Sequence, residues 1–216
     1  FTKLLCAVNP VSVMQKRMRP LLGCFVEIAL PHSAPARAFE AAFTRIEHIQ
    51  NLLSFHDTNS DLSRLNRTQG QWVDCHPLSI QCLRLARAIT RASEGTFNCT
   101  LGAILVSSKA LPAHNYVSLH AESLVNIGVW SDIELTQNSA RLRRPVLITL
   151  DGIAKGFAID SAIHELIRAG VATGWINAGG DIRVFGDTVL PIIIRDHRGA
   201  DEYKGGLHNA AIATST

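Results

Sequence analysis

The sequence lacks long apolar runs, paired cysteines and a strong excess of charge of one sign. No stretch approaches the roughly 20 consecutive apolar residues that a membrane-spanning helix needs. The five cysteines are an odd number and form no C-x-x-C pair, which argues against a disulfide framework and a cysteine zinc site. The net charge of +3 is spread along the chain, so nucleic acid is not an expected partner. With 47% apolar and 18% charged residues, the chain is expected to fold as a globular protein.

The two ends of the chain predict a short tail followed by one domain. The densest basic run, Lys16 to Arg19, lies near the N-terminus, and we predict a tail over residues 1–18 and a single domain over residues 19–216. The chain starts at Phe1 and stops directly after a strand-like run, so we expect it to be truncated, above all at the C-terminus. The apolar patch at residues 4–8 is too short for a convincing signal peptide, and the compartment stays open.

Apolar periodicity predicts three main helices among mostly antiparallel strands. Helical spacing follows Ser33 and Pro35 as far as Leu53, a second helix is predicted over 77–93, and a third from Lys155 or Gly156 to Gly170. Strands are predicted at 23–30, in a hairpin around 137–139 that leads into the apolar run 146–150, and at 172–177, 182–185, 189–195 and 209–214. The predicted fold class is therefore α+β, with mixed α/β layers.

The segment from Ile148 to Asp160 is the most informative for function. Its pattern predicts a strand that passes through a turn bounded by Gly152 and Gly156 into a helix, with Lys155 at the helix start. A helix N-terminus offers unpaired N–H groups and a partial positive charge, and glycine lets phosphates approach the backbone. The alternative is an ordinary strand-to-helix turn with a solvated lysine, because the spacing matches neither a Walker motif nor G-x-G-x-x-G.

A second segment places Gly179, Gly180 and Asp181 between two predicted strands. The glycines would allow a flat ligand or a phosphate to approach, and Asp181 could meet a hydroxyl or a hydrated cation. A plain hairpin turn is the alternative, since Gly-Gly is a strong hairpin signal. Two further segments, at residues 95–102 and 53–66, are weak on their own.

Taken in order, these segments resemble the FAD:protein FMN transferase family, also called ApbE. The similarity runs from about Arg19 to the end of the chain and rests on four words in the correct order. These words are Arg19-Pro20-Leu21-Leu22-Gly23, then Leu53-Ser54 with Asn59-Ser60-Asp61-Leu62-Ser63-Arg64-Leu65-Asn66, then Gly152-Ile153-Ala154-Lys155-Gly156, and finally Asn177-Ala178-Gly179-Gly180-Asp181-Ile182.

The resemblance implies an ApbE-like fold with FAD in a deep pocket between structural halves. It also implies a magnesium-dependent reaction in which a Ser or Thr hydroxyl of an acceptor flavoprotein attacks the FMN phosphate and AMP leaves. A membrane-associated acceptor is one option, and many relatives are periplasmic or membrane-associated. No catalytic side chain is assigned. The expected cofactor-contacting residues are Leu22, His56, Thr96, Phe97, Asn98, Thr149, Lys155, Gly179, Gly180 and Asp181. The backbone carbonyl of Gly152 is expected to hold Mg²⁺, with the side-chain ligands beyond Thr216.

The chain departs from the family pattern at its end. Thr214-Ser215-Thr216 stands where the family has Thr-Ser-Gly, and the histidine, aspartate and threonine that follow in the family are absent from this sequence. Two other functions therefore stay open: a non-catalytic FAD-binding or flavin carrier protein, and a metal-dependent FAD pyrophosphatase in which water replaces the acceptor hydroxyl.

Overall fold

The computed structural model describes residues 14–115, 124–125, 127–195 and 201–214. The chain divides into two compact units. The first, the sheet unit, comprises Phe1–Ile46 and Ile159–Thr216, and the second, the loop unit, comprises Glu47–Ala158. The prediction of a single domain over 19–216 stays a prediction.

The sheet unit contains a five-stranded antiparallel sheet. Its strands in spatial order are β1 (Met14–Leu21), β2 (Cys24–Pro31), β6 (Gly174–Ala178), β7 (Asp181–Phe185) and β10 (Ala211–Ile212). Strand β1 pairs along its whole length with β2, so residues 14–18, which the sequence analysis assigned to a tail, form an edge of this sheet. The basic residues of β1 make this strand hard to recognise in the sequence. In the structure, Arg17 and Arg19 stack on the buried rings of Phe39 and Phe43.

A separate hairpin of β8 (Val189–Arg195) and β9 (Asp201–His208) completes the strands of the sheet unit. Leu190 and Leu207 of this hairpin pack against a buried cluster around Trp175. Strand β8 has its predicted bounds, whereas β9 was not predicted, since it contains two glycines and polar residues. The strand predicted over 209–214 is shorter and covers Ala211–Ile212.

Three long helices have the predicted periodicity. They are α1 (Ala36–Leu53), α3 (Pro77–Ala92) and α5 (Asp151–Arg168). Helix α1 buries an apolar face that includes Phe39, Phe43 and Ile46, at the spacing of one helical stripe. Helix α5 ends as predicted, because Gly170 adopts a φ of +84° and the following N–H of Val171 bonds to Leu166 O.

Helix α5 begins at Asp151 and not at Lys155 or Gly156. The carbonyl of Leu150 accepts hydrogen bonds from the N–H groups of Ile153 (2.9 Å) and Ala154 (2.7 Å), which makes Leu150 the cap residue. The predicted turn is therefore the first turn of the helix, and Gly152 lies inside it.

The loop unit combines the short helices α2 (Asp61–Arg67) and α4 (Gly102–Ser107) with helix α3 and a three-stranded antiparallel sheet. The sheet has the order β3 (Val73–Asp74), β5 (Ser139–Leu142), β4 (Ile133–Leu135), and a 3₁₀ turn at Trp130–Asp132 precedes β4. Strands β4 and β5 form the predicted hairpin around residues 137–139.

The buried carboxylate of Asp61 links α2 to the start of α3. It accepts hydrogen bonds from Ser79 Oγ (2.6 Å), from the His76 N–H (2.7 Å) and from Arg64 (2.5 Å). Burial alone would raise the pKa of Asp61, but the hydrogen bonds from Ser79, Arg64 and His76 outweigh it and hold the pKa below its ordinary value. Asp61 is therefore a charged structural link.

The apolar run Val146–Leu150 is an extended segment. Side chains and loops form the hydrogen bonds along its two edges that neighbouring strands would form in a sheet. On one side, Asn66 Nδ2 donates to Ile148 O (2.8 Å) and Asn66 Oδ1 accepts from Ile148 N–H (2.8 Å). On the other side, Leu147 O accepts from the N–H of Gly102 (3.0 Å), and Thr149 N–H donates to Cys99 O (2.9 Å). The segment is thereby fixed on both edges and leads directly into α5.

Four cysteines lie among the described residues, and none of these four forms a disulfide. Three of them, Cys75, Cys82 and Cys99, are buried, and burial raises the pKa of Cys82 to about 12 and that of Cys75 to about 11. They act as small core residues. Among the described residues, no helix is both long enough and apolar enough to span a bilayer.

Candidate functional site

The first two turns of α5 present a glycine and lysine face. Gly152 and Gly156 are exposed and Lys155 is half-buried, and the three positions share one face by the helical i, i+3, i+4 rule. A Cβ atom placed on Gly156 would meet nothing within 4 Å. The backbone of this face is therefore open to a ligand, at the end of the helix where the dipole is positive.

Phe97 packs against this face at Gly152. A Cβ atom on Gly152 would lie 3.2 Å from Phe97 Cε2, so glycine is the residue that lets the ring approach the helix. The ring is carried by a turn in which Glu94 and Gly95 both have positive φ, and Ser93 Oγ accepts from the N–H of Phe97 (3.1 Å). Two of the predicted site residues, Phe97 and Gly152, are thus in contact.

Asn98 supports the Phe97 turn through hydrogen bonds within the protein. Its Nδ2 donates to Gly128 O (3.1 Å), and its Oδ1 accepts from the N–H (2.9 Å) and the hydroxyl (2.7 Å) of Thr100. The side chain was predicted to contact a cofactor. In this structure it positions the turn, and a direct contact with a ligand stays a prediction.

Thr149 and Thr96 flank the same region. Thr149 is buried, and its Oγ1 lies 3.4 Å from the N–H of Asp151, where it helps to cap α5. Thr96 is exposed, and its N–H bonds to Ser93 O (3.0 Å). Thr149 thus organises the helix start, while the hydroxyl of Thr96 is accessible.

His56 lies on the short loop after α1. Its N–H donates to Ser54 Oγ (3.1 Å), as does that of Asp57 (3.1 Å), and its side chain is exposed. The described contacts fix the loop but do not join the His56 imidazole to Phe97 or Gly152. The cofactor contact of His56 stays a prediction.

The remaining predicted residues meet in the sheet unit, at one end of the five-stranded sheet. Leu22 and Gly23 form the tight turn between β1 and β2, with φ of +56° and +70°, and Gly179 and Gly180 form that between β6 and β7, with φ of +62° and +98°. Because β2 pairs antiparallel with β6, the two turns lie side by side. Asp181 begins β7 at this end.

Close packing accounts for both glycines of the second turn. A Cβ atom on Gly179 would lie 3.0 Å from Cys24 Cβ, and one on Gly180 would lie 2.4 Å from Thr214 Oγ1. The Asn177 side chain accepts from the N–H of Gly180 (2.9 Å) and closes the turn. The hairpin alternative is therefore correct as a structural description, and the ligand role of Gly179, Gly180 and Asp181 stays a prediction.

Comparison with known families tests the resemblance found in the sequence. A model of the ApbE family matches residues 22–216. The chain belongs to the ApbE family.

Known proteins support this membership. The chain is 28% identical over 135 residues to an FAD:protein FMN transferase of Rhodobacter capsulatus, an alignment that covers 59% of this chain and 26% of that protein. The chain thus spans about a quarter of the length of this curated relative. Its fold is similar to an ApbE protein of Thermotoga maritima, with a TM-score of 0.78 and 23% identity, covering 94% of this chain and 70% of the other. The apo flavinyl transferase ApbE of Pseudomonas stutzeri gives a TM-score of 0.77 at 18% identity, covering 94% and 69%. These structures confirm the predicted α+β class and ApbE-like fold.

The residues around Gly152 offer few ligands for magnesium, which prefers octahedral oxygen coordination. Within α5, the carbonyl of Gly152 faces the N–H of Gly156 in the helical hydrogen-bond pattern, which occupies one of its lone pairs. In the parts of this ApbE-family chain that the structure describes, no group of three or more His, Cys, Asp or Glu is placed to hold a metal ion. This donor set does not fit a complete magnesium site, and the role of Gly152 stays a prediction.

Sequence reasoning missed the contacts that support the segments leading into the site. Asn66 ends one of the family words and Gly102 ends the weak segment at residues 95–102, but the contacts of Asn66 with Ile148 and of Gly102 with Leu147 were not predicted. Asn66 lies in the short helix α2 and Gly102 starts α4, and neither position identifies its distant partner in the sequence. Asn177 was part of the resemblance, but its hydrogen bond to the turn was not foreseen.

Proposed function

We propose that this ApbE-family chain takes part in transferring the FMN half of FAD to a Ser or Thr hydroxyl of an acceptor flavoprotein. In this reaction the hydroxyl oxygen bonds to the FMN-side phosphorus and the bond from that phosphorus to the bridging oxygen breaks. AMP leaves with the bridging oxygen, and the hydroxyl proton passes to solvent. Magnesium is part of the proposal, and the described residues around Gly152 would supply only part of its oxygen ligands. A membrane-associated redox subunit is one kind of acceptor that would fit.

The observation that carries the proposal is the open face at the start of α5. Gly152 and Gly156 leave the backbone accessible, Lys155 contributes a positive charge, and the positive end of the helix dipole lies at this turn. This combination suits a pyrophosphate, whose charge must be neutralised for transfer. The Phe97 ring beside Gly152 offers an apolar surface next to the proposed phosphate position.

Product analysis distinguishes the proposed transfer from its alternatives. The chain is incubated with FAD and Mg²⁺, with and without an acceptor flavoprotein, and AMP, free FMN and flavin covalently attached to the acceptor are quantified by chromatography and in-gel fluorescence. We expect AMP and acceptor-bound FMN in equal amounts, only when the acceptor is present. Free FMN with AMP would instead identify a pyrophosphatase. Bound but unchanged FAD would identify a carrier, and no FAD binding at all would refute the proposal.

The role of Lys155 is tested by FAD titration calorimetry. We expect Lys155→Gln to weaken FAD binding about tenfold, because one charge-assisted hydrogen bond contributes about 1.5 kcal/mol. Lys109→Gln is the matched control, since Lys109 is an exposed lysine outside the proposed site. Equal FAD affinity of the two variants would show that Lys155 does not contact the phosphates. Thermal melts of both variants separate a binding effect from a loss of folding.

A further inference from the structure

A groove lined by arginines runs along the outer face of α3 in the loop unit. Arg84, Arg87 and Arg91 project from this helix beside Trp130 and Leu135, around a cavity of about 500 Å³. This volume lies within the range of small-molecule sites. None of these residues belongs to the site proposed for FAD.

The three arginines are placed by neutral partners. Arg84 donates to Thr136 O (2.7 Å) and Arg87 to Ile133 O (3.3 Å). The guanidinium groups of Arg87 and Arg91 lie 5.3 and 5.1 Å from the centroid of the Trp130 ring. Each guanidinium has five N–H donors, so these contacts orient the groups and leave most donors for a ligand.

Among the residues that the structure describes, the arginines of the groove form no ion pair with an acid. In the described ranges, no carboxylate lies within 4.0 Å of Arg84, Arg87 or Arg91. The nearby carboxylates of Asp132 and Glu134 are paired with other arginines, namely Arg141, Arg143 and Arg144.

The spacing of the arginines indicates the size of the ligand. Arg84 and Arg91 are seven positions apart, which separates their Cα atoms by about 10 Å along the helix. A ligand with two anionic groups could meet both ends of this row while each arginine keeps its present contact, to Thr136 O for Arg84 and to the Trp130 ring for Arg91. Like charges at i, i+3 and i, i+4 also repel one another, and a multivalent anion would relieve that repulsion.

We propose that this groove binds a small anion that carries at least two phosphate or carboxylate groups. Arginine forks bind both kinds of oxyanion through paired N–H donors, which is the shared chemistry of the two candidate classes. The proposal concerns a site separate from the one proposed for FAD and does not depend on FMN transfer.

Tryptophan fluorescence and calorimetry of the whole chain test the groove, with tripolyphosphate and citrate as the two probes at low ionic strength. We expect saturable binding of at least one probe, with a change in tryptophan emission, and weaker binding as salt is added. Tripolyphosphate alone would assign the site to phosphates and citrate alone to carboxylates. If neither probe binds saturably, the proposal is overturned. A hexaglutamate peptide is titrated alongside, and binding of this peptide alone would also overturn the proposal, because it would indicate a protein partner.

Substitutions then localise the binding. We expect Arg91→Gln to weaken probe binding about tenfold, and Arg84→Gln with Arg91→Gln to weaken it further. Arg37→Gln, an exposed arginine on α1, is the matched control and should bind as the unaltered chain does. Arg91 makes a ring contact with Trp130, so the single variant keeps the backbone hydrogen bonds of Arg84 and Arg87 and stays informative if the double variant unfolds.

FAD titration of the same variants separates this proposal from the proposed function. Unchanged FAD affinity with weakened probe binding is the expected result. Loss of FAD binding in folded Arg91→Gln would place the groove within the FAD site and overturn the claim of a separate site. Equal probe binding by the double variant and the unaltered chain would overturn the proposal that the groove binds the anion.

Discussion

The double hydrogen bond between Asn66 and Ile148 gives the sharpest test of how the site is built. Asn66 and Ile148 are both fully buried, and the amide side chain satisfies the N–H and the C=O of Ile148 at 2.8 Å each. Asn66→Ala would leave two buried backbone groups without partners. Each such group costs about 1–3 kcal/mol, and we expect a total loss of about 3 kcal/mol in the free energy of unfolding.

Urea and thermal unfolding measure this loss. For a chain of this size, 1 kcal/mol corresponds to about 2–4 °C in Tm, so Asn66→Ala should melt about 6–12 °C lower. Asn51→Ala is the matched control, because Asn51 is exposed on α1 and its replacement should change stability by less than about 0.5 kcal/mol. Equal stability of the two variants would refute the claim that Asn66 holds the Val146–Leu150 segment.

Asn66→Asp adds a pH signature to the same test. The introduced carboxylate would be buried and would face Ile148 O, so its pKa should rise in the folded state. Its protonated form can donate to that carbonyl, so the variant should be most stable below the unfolded-state pKa and should lose stability as pH rises through the raised folded-state pKa. A flat difference from the unaltered chain between pH 4 and pH 8, the range set by the reference carboxyl value of about 4, would contradict this account.

Substitutions at Asp61, His76 and Gly102 test other parts of the loop unit. Asp61→Asn should lower the free energy of unfolding by about 1–3 kcal/mol at pH 7. Because the folded-state pKa of Asp61 is depressed, this difference should disappear as pH falls through that pKa. Urea melts at several pH values measure it. His76→Ala should cost about 1 kcal/mol, since His76 Nδ1 accepts from the Leu78 N–H at the start of α3, and His76→Ser should restore most of it in thermal melts. Gly102→Ala should cost about 1–3 kcal/mol, because its Cβ would lie 2.7 Å from Leu147 O, whereas Gly156→Ala, with open space around it, should not destabilise the chain in the same assay.

The predicted elements follow from local patterns where those patterns are decisive. The apolar stripe of α1 and the glycine at the end of α5 each determine a helix from a few neighbouring residues. The start of α5 was misplaced because Gly152 favours a turn locally, while the cap at Leu150 and the Phe97 ring against Gly152 stabilise a helical turn there.

The candidate site was predictable only where its residues belong to a local sequence pattern. Lys155 and Gly152 belong to one word of the family, and the resemblance implied a cofactor contact for Phe97. The structure brings Gly152 and Phe97 into contact. The partners that position them, such as Asn66 and Gly128, act across long sequence separations, and the local sequence does not identify the residues they contact. Their roles depend on tertiary contacts that periodicity and spacing do not encode.

The pair of hydrogen bonds between Asn66 and the Val146–Leu150 segment also has a consequence for folding. The bond from Asn66 to Ile148 joins residues 82 positions apart, so it cannot form until a long loop has closed. Contacts of this kind are expected late in folding, after the local helices. The start of α5, which this segment delivers, should therefore be among the last regions to gain protection from hydrogen exchange, and a ligand bound there would stabilise the final step of assembly.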